Sequence, residues 1–131
     1  MTPGNVALVE AAVDAYNRRD VPRLCELMTE EVDLQPPVSW LTGHAYRGHL
    51  GIAEWLRDLD ESFVSAQIVP LELTDLGDRV LAITRFDVEG HESRVSFGSE
   101  LGLVIGVDGG RIASWVGFTS HAEATEAAAS A

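Results

Sequence analysis

The pattern in this sequence best suited to chemistry is Arg85-Phe86-Asp87, a guanidinium and a carboxylate two residues apart within a run of extended character. Side chains alternate along a strand, so Leu81, Ile83, Arg85, Asp87 and Glu89 share one side, and Val80, Ala82, Thr84, Phe86 and Val88 share the other. Both sides begin apolar. If the first set faces inward, Asp87 enters a pocket wall as a general base, with Arg85 orienting it or balancing its charge. The alternative for the same pair is a structural ion pair at the rim of a sheet. A second group lies in the aperiodic segment Val38 to Gly48, where Trp40, His44 and Tyr46 stand close together. His titrates nearest neutrality and aromatic walls suit a flat ligand, so His44 or Tyr46 is a candidate proton donor, a solvated loop histidine being the other reading of His44. Trp40, Trp55 and Trp115 are candidate apolar walls for a substrate, and Tyr16 and Phe63 join them as candidate binding residues.

These side chains need elements to hold them. Val6, Val9, Val13 and Tyr16 recur at helical steps and predict a helix from about Asn5 to Asn17. Asp20 before Val21-Pro22 predicts the start of a short second helix ending near Glu30, followed by a brief strand from Val32 to Gln35 that Pro36-Pro37 stops. Ile52, Trp55, Leu56, Leu59 and Phe63 mark a third helix from Gly48. Four extended runs follow: Ala66 to Leu73, Arg79 to Glu89, Arg94 to Val107 and Arg111 to Thr119. Turn residues separate them, so they should form an antiparallel meander. Ser120 with Glu123 fits a capping box for a final alanine-rich helix whose tail is expected to fray from about Ala124. The class is α+β: three N-terminal helices on a strongly curved, mostly antiparallel sheet, cone-like, with an internal pocket.

Composition narrows the partners. The chain has 131 residues, the length of one domain (1–131), and 46% of them are apolar, enough for a packed core. Its nine basic residues, all Arg, oppose 21 acids for a net charge of −12, which argues against a nucleic-acid partner. Cys25 is the one cysteine, which excludes an intrachain disulfide and any multi-cysteine zinc site. His44 and His49 have no recognised metal-ligand spacing, and no glycine-rich phosphate loop occurs, so neither metal nor other cofactor is predicted. No run of residues is long and apolar enough to span a membrane, and the opening residues lack a signal pattern; a cytoplasmic location is the expectation.

Four pieces of the sequence carry a resemblance: Ala15-Tyr16-Asn17-Arg18-Arg19-Asp20, Tyr46-Arg47-Gly48, Leu76-Gly77-Asp78-Arg79-Val80 and Asp108-Gly109-Gly110-Arg111-Ile112. In their order the chain resembles, from Val6 to Ala127, the SnoaL-like branch of the nuclear-transport-factor-two-like superfamily. That group includes polyketide cyclases, ketosteroid isomerases, limonene-epoxide hydrolases and dehydratases. The resemblance is stronger for fold than for activity. Positions matching the isomerase's tyrosine and two aspartates hold Ala12, Leu103 and Pro36, which disfavours a standard steroid isomerase. The hydrolase's Arg-x-Asp matches Arg85 and Asp87, while its remaining positions fall on Gly117, Leu34 and Pro36. The resemblance implies a homodimer through the convex sheet face, to which Phe86 and Val88 add apolar contacts if the row of Arg85 and Asp87 faces inward.

Together these readings predict a cofactor-independent cyclase, isomerase or epoxide hydrolase that acts on a small apolar, cyclic or oxygenated molecule by general acid-base catalysis. The alternative is a non-catalytic ligand-binding or dimeric assembly domain of the same fold, or a pocket filled by its own side chains.

Overall fold

A computed structural model describes residues 4–37, 45–90 and 96–130, the side chains of 96 and 97 excepted. Helix α1 spans Asn5–Asn17 and buries Val9, Val13 and Tyr16 of the predicted stripe together with Leu8, Ala12 and Ala15, while Val6 is only half-buried. Helix α2 is Val21–Leu27, started by the Asp20 side chain accepting from the Arg23 N–H at 3.2 Å. It ends earlier than predicted because Met28 is already extended, and strand β1 runs from there to Gln35. A two-residue strand β2, Tyr46–Arg47, falls where the sequence suggested only loop. Helix α3, Gly48–Ser62, buries Ile52, Trp55, Leu56 and Leu59.

The meander has the predicted four strands, with β3 longer at both ends: β3 is Phe63–Asp75, β4 Arg79–Gly90, β5 Ser96–Asp108 and β6 Arg111–Phe118. The six strands form one mixed sheet in the order β2-β1-β6-β5-β4-β3, in which β1 runs parallel to β6 and every other pair is antiparallel. Register shifts in β1 between Met28 and Asp33, in β3 beside Phe63 and Pro70, and between β5 and β6 near Gly106 are bulges, which add twist and bend the sheet.

Helices α1 and α3 pack against one face, over Ala66, Ile68, Val80, Ala82, Phe86, Leu101, Leu103, Ile105 and Trp115. Helix α4, His121–Ala129, lies on the other, where a Cβ on Gly102 would collide with that of Ala124. The predicted capping chemistry is present, the Ser120 hydroxyl accepting from the Glu123 N–H at 3.1 Å. Ala124 and Ala128 are buried, because a methyl-faced helix can settle onto a strand that presents glycine.

The facing of β4 is the opposite of the one predicted. Val80, Ala82, Thr84, Phe86 and Val88 point to the core, with Thr84 wholly buried and its hydroxyl donating to the Leu101 carbonyl at 2.6 Å. Arg85 is exposed and Asp87 half-buried, both on the outer side. The physical reason is that only the even row stays free of charge to its end. Leu81, on the odd row, has its own cover, since it lies in a groove beside Thr125 and Ala128 of α4. Phe86 and Val88 are therefore core residues and cannot serve a contact on the convex face.

Candidate aromatic cavity

The pairings Gln35 with Val116, Gly102 with Phe118, Glu89 with Ser96, and Phe63 with Gly90 place the C-terminal ends of β1, β4 and β6 and the N-terminal ends of β3 and β5 at one end of the sheet. There, between the concave face and the helices, lies a cavity lined by Tyr16, Trp55, Leu59, Ile68, Phe86, Leu101, Leu103, Trp115, Gly117 and the Pro36-Pro37 pair. Its free volume is about 20 Å³, the room of a single water molecule.

Three aromatic rings meet here from three elements. Tyr16 comes from the last turn of α1, Trp55 from the middle of α3 and Trp115 from β6. Ring centroids are 5.2 Å apart for Tyr16 and Trp55, tilted by 37°, and 5.7 Å for Trp55 and Trp115, edge-to-face at 63°. Such tilted and edge contacts suit the ring quadrupole. The Pro36-Pro37 wall rests on Gly117, where a Cβ would stand 2.6 Å from the Pro37 Cδ. The space that Gly117 leaves on the inner face is thus taken by a proline ring.

Tyr16 is the one ionisable side chain in the described wall. Burial pushes its hydroxyl well above the ordinary phenol range, against a smaller opposing pull from the neighbouring Arg19, so it stays protonated as a hydrogen-bond donor. The base of α1 fastens it in place. The Asn17 side chain donates to the Ile68 carbonyl and accepts from the Ile68 N–H, both at 2.8 Å, joining the helix end to the outer edge of β3.

The other predicted site residues are scattered. Arg85 and Asp87 form a two-point ion pair, Nε to Oδ1 at 2.7 Å and Nη2 to Oδ2 at 3.0 Å, on the sheet face away from the cavity. The hydrogen bonds and charge of Arg85 hold the Asp87 carboxyl below the usual carboxylate range, the reverse of what a base working near neutrality needs. The partial match to the hydrolase pattern therefore places its pair outside the cone. The Tyr46 hydroxyl donates to the Asp58 carboxylate at 2.5 Å, bracing β2 against α3, and Tyr46 is not in the cavity wall. Phe63 stands edge-on to Phe86, centroids 6.2 Å apart, just behind the lining. Trp40 and His44 lie outside the described residues. Sequence reasoning missed Leu59, Ile68, Leu101 and Leu103 as lining residues and missed Arg19 altogether. The apolar four carry no signal beyond a core stripe, whereas Arg19 sits in a hexapeptide that carries the resemblance without any role for the arginine.

The comparisons agree with this architecture. The SnoaL-like domain profile matches residues 9–115, and the chain belongs to that family. No curated protein matches it in sequence. Among solved structures it is similar to an NTF2-like protein of unknown function from Burkholderia pseudomallei, at 20% identity and a TM-score of 0.79, covering 93% of this chain and 95% of that one. It is similar to TerC co-crystallized with polyporic acid, at 19% identity and a TM-score of 0.79 over 96% and 98% of the two chains. A candidate polyketide cyclase from Xanthomonas campestris is 22% identical with a TM-score of 0.74, over 90% and 91%. At these identities the likeness establishes the shared fold.

Proposed function

We propose that this SnoaL-like protein binds a small, flat, largely apolar cyclic or oxygenated molecule between Tyr16, Trp55 and Trp115. The observation that carries this reading is the convergence of three rings from three separate elements on a wall that is otherwise aliphatic. Aromatic side chains supply large apolar area together with N–H and O–H donors, which orient a ring bearing an oxygen. Because the free space is that of one water, a ligand enters by shifting part of the wall. Pro36-Pro37 is the part that belongs to no helix or strand. That TerC, of similar fold, was co-crystallized with polyporic acid supports the ligand class.

The described wall favours binding over proton transfer, since it holds no carboxylate or imidazole. A second reading, an acid-base enzyme of the cyclase type, is favoured by the candidate cyclase of similar fold and by the place of His44 in the segment that directly follows Pro37. Calorimetric titration with 1-tetralone, a bicyclic aromatic ketone, tests the main reading, together with its effect on melting temperature. One-to-one saturation and a raised melting point are expected from linkage. Absence of both across 1-tetralone and a panel of neutral cyclic ketones would show that the rings are only core. Conversion of a bound ketone, lost in His44→Ala, would move the reading to the enzyme.

A further inference from the structure

We propose that Arg19 is the positioning residue of the aromatic cavity, holding Tyr16 and the three elements around it in the arrangement a ligand meets. This rests on the cavity being a binding site. The observation that starts it is a backbone one. Arg19 has φ of +57°, and it is the one non-glycine residue in the left-handed region among those described.

The surrounding hydrogen bonds identify the motif. The Asp20 N–H donates to the Ala15 carbonyl at 2.9 Å and the Arg19 N–H to the Tyr16 carbonyl at 3.0 Å, the paired bonds of a Schellman helix ending. Its left-handed position belongs to glycine by preference, because a side chain there meets its own backbone. An arginine in that place is strained, and strain of this kind persists only where the surroundings hold it.

Here the side chain supplies the hold. Its Nε donates to Asp60 Oδ1 on α3 at 2.9 Å, one terminal nitrogen to the Tyr16 carbonyl on α1 at 2.7 Å, and the other to the Ala66 carbonyl on β3 at 3.2 Å. The guanidinium carbon also sits 4.8 Å from the centroid of the Tyr16 ring. One planar fork thus ties together α1, α3 and β3, which carry the lining residues Tyr16, Trp55, Leu59 and Ile68. Lysine, a single point donor, cannot span the three acceptors.

Arg19→Gly separates positioning from mere helix termination, because glycine suits the backbone better. A residue that only ended the helix would leave the near-ultraviolet circular dichroism of Tyr16 and Trp55 and the 1-tetralone affinity unchanged, with melting temperature level or higher. The positioning role is expected to weaken 1-tetralone at least about tenfold and reduce the near-ultraviolet signal while the far-ultraviolet spectrum keeps its native shape. Asp60→Asn, at an exposed partner, keeps the fold safer and should weaken the probe about three- to tenfold. Native affinity and native near-ultraviolet signal in both variants would overturn the proposal. If the wild type binds neither 1-tetralone nor the other ketones, the binding reading falls first. The near-ultraviolet signal then decides Arg19: unchanged in Arg19→Gly, it removes the residue's hold on the ring pair as well.

Discussion

Gly117→Ala tests the cavity wall most directly. An added Cβ would stand 2.6 Å from the Pro37 Cδ and 3.0 Å from its Cγ, whereas carbon atoms rest comfortably at about 3.5–4.0 Å. The two groups must part by about 1 Å. The pyrrolidine ring cannot deform and the strand is paired to β5 at Leu103, so relief comes only by pushing the Pro36-Pro37 segment off the packed wall. Overpacking of this kind costs about 1–3 kcal/mol. For a chain of this size each kcal/mol moves the melting point by about 3–5 °C, so the variant should melt roughly 3–15 °C lower. Trp115, two residues back on the same side of β6, should report the shift through its emission and near-ultraviolet circular dichroism. Pro37→Ala in the same background removes the colliding ring carbon and should recover part of the loss, with a coupling of about 0.5–3 kcal/mol in a double-mutant cycle. A Gly117→Ala protein melting within about 1 °C of wild type, with an unchanged tryptophan spectrum, would refute the contact and with it the described shape of the wall.

Three further outcomes follow from the geometry. Asp87→Asn should leave 1-tetralone affinity intact and lower the melting point by at most a few degrees, since the pair it breaks faces water. Because Arg85 depresses the Asp87 pKa, this small difference should be present above the ordinary carboxylate pKa of about 3.9 and vanish as pH falls through the lower folded value, which melts in acid will check. Asn17→Ala removes both partners of the Ile68 backbone and should cost about 1–3 kcal/mol, with hydrogen exchange accelerated at Ile68 more than elsewhere in β3. Tyr16 has a raised folded pKa, so its contribution is intact below the ordinary phenol value of about 10 and is lost as pH rises beyond it. Tyr16→Phe should therefore lose less stability than wild type between pH 8 and about 10.5 in denaturant melts; equal losses would contradict the burial of the hydroxyl.

Periodicity made the helices and the meander legible, because Val9, Val13 and Tyr16, or Trp55 and Leu59, can share a helical face in one way only. That Tyr16, Trp55 and Trp115 meet is a matter of the three-dimensional packing, which no period within one element carries. The facing of β4 was not legible in the same way. Leu81 and Ile83 opposite Val80 and Ala82 give a strand two apolar rows, and the row beneath α4 is apolar for the sake of a helix some forty residues later. A sequence pattern has a period but no sense of which element will cover which side. The Arg85-Asp87 pair was misplaced by that ambiguity alone. Arg19 was missed for another reason: no pattern marks an arginine that occupies a glycine's backbone, and only its φ in the folded chain does so.

Strand β5 has a glycine at every second position of its outer row, at 98, 102 and 106. Each is a socket with a different tenant: the Arg85-Asp87 fork, from 2.9 Å, over Gly98, the Ala124 methyl over Gly102 and the Ser114 hydroxyl over Gly106. The relief of that surface is written by its neighbours while the strand beneath supplies bare floor. A methyl added at any one socket would evict one tenant and leave the other two seated, so the outer face can be remodelled in thirds without disturbing the rings on the far side.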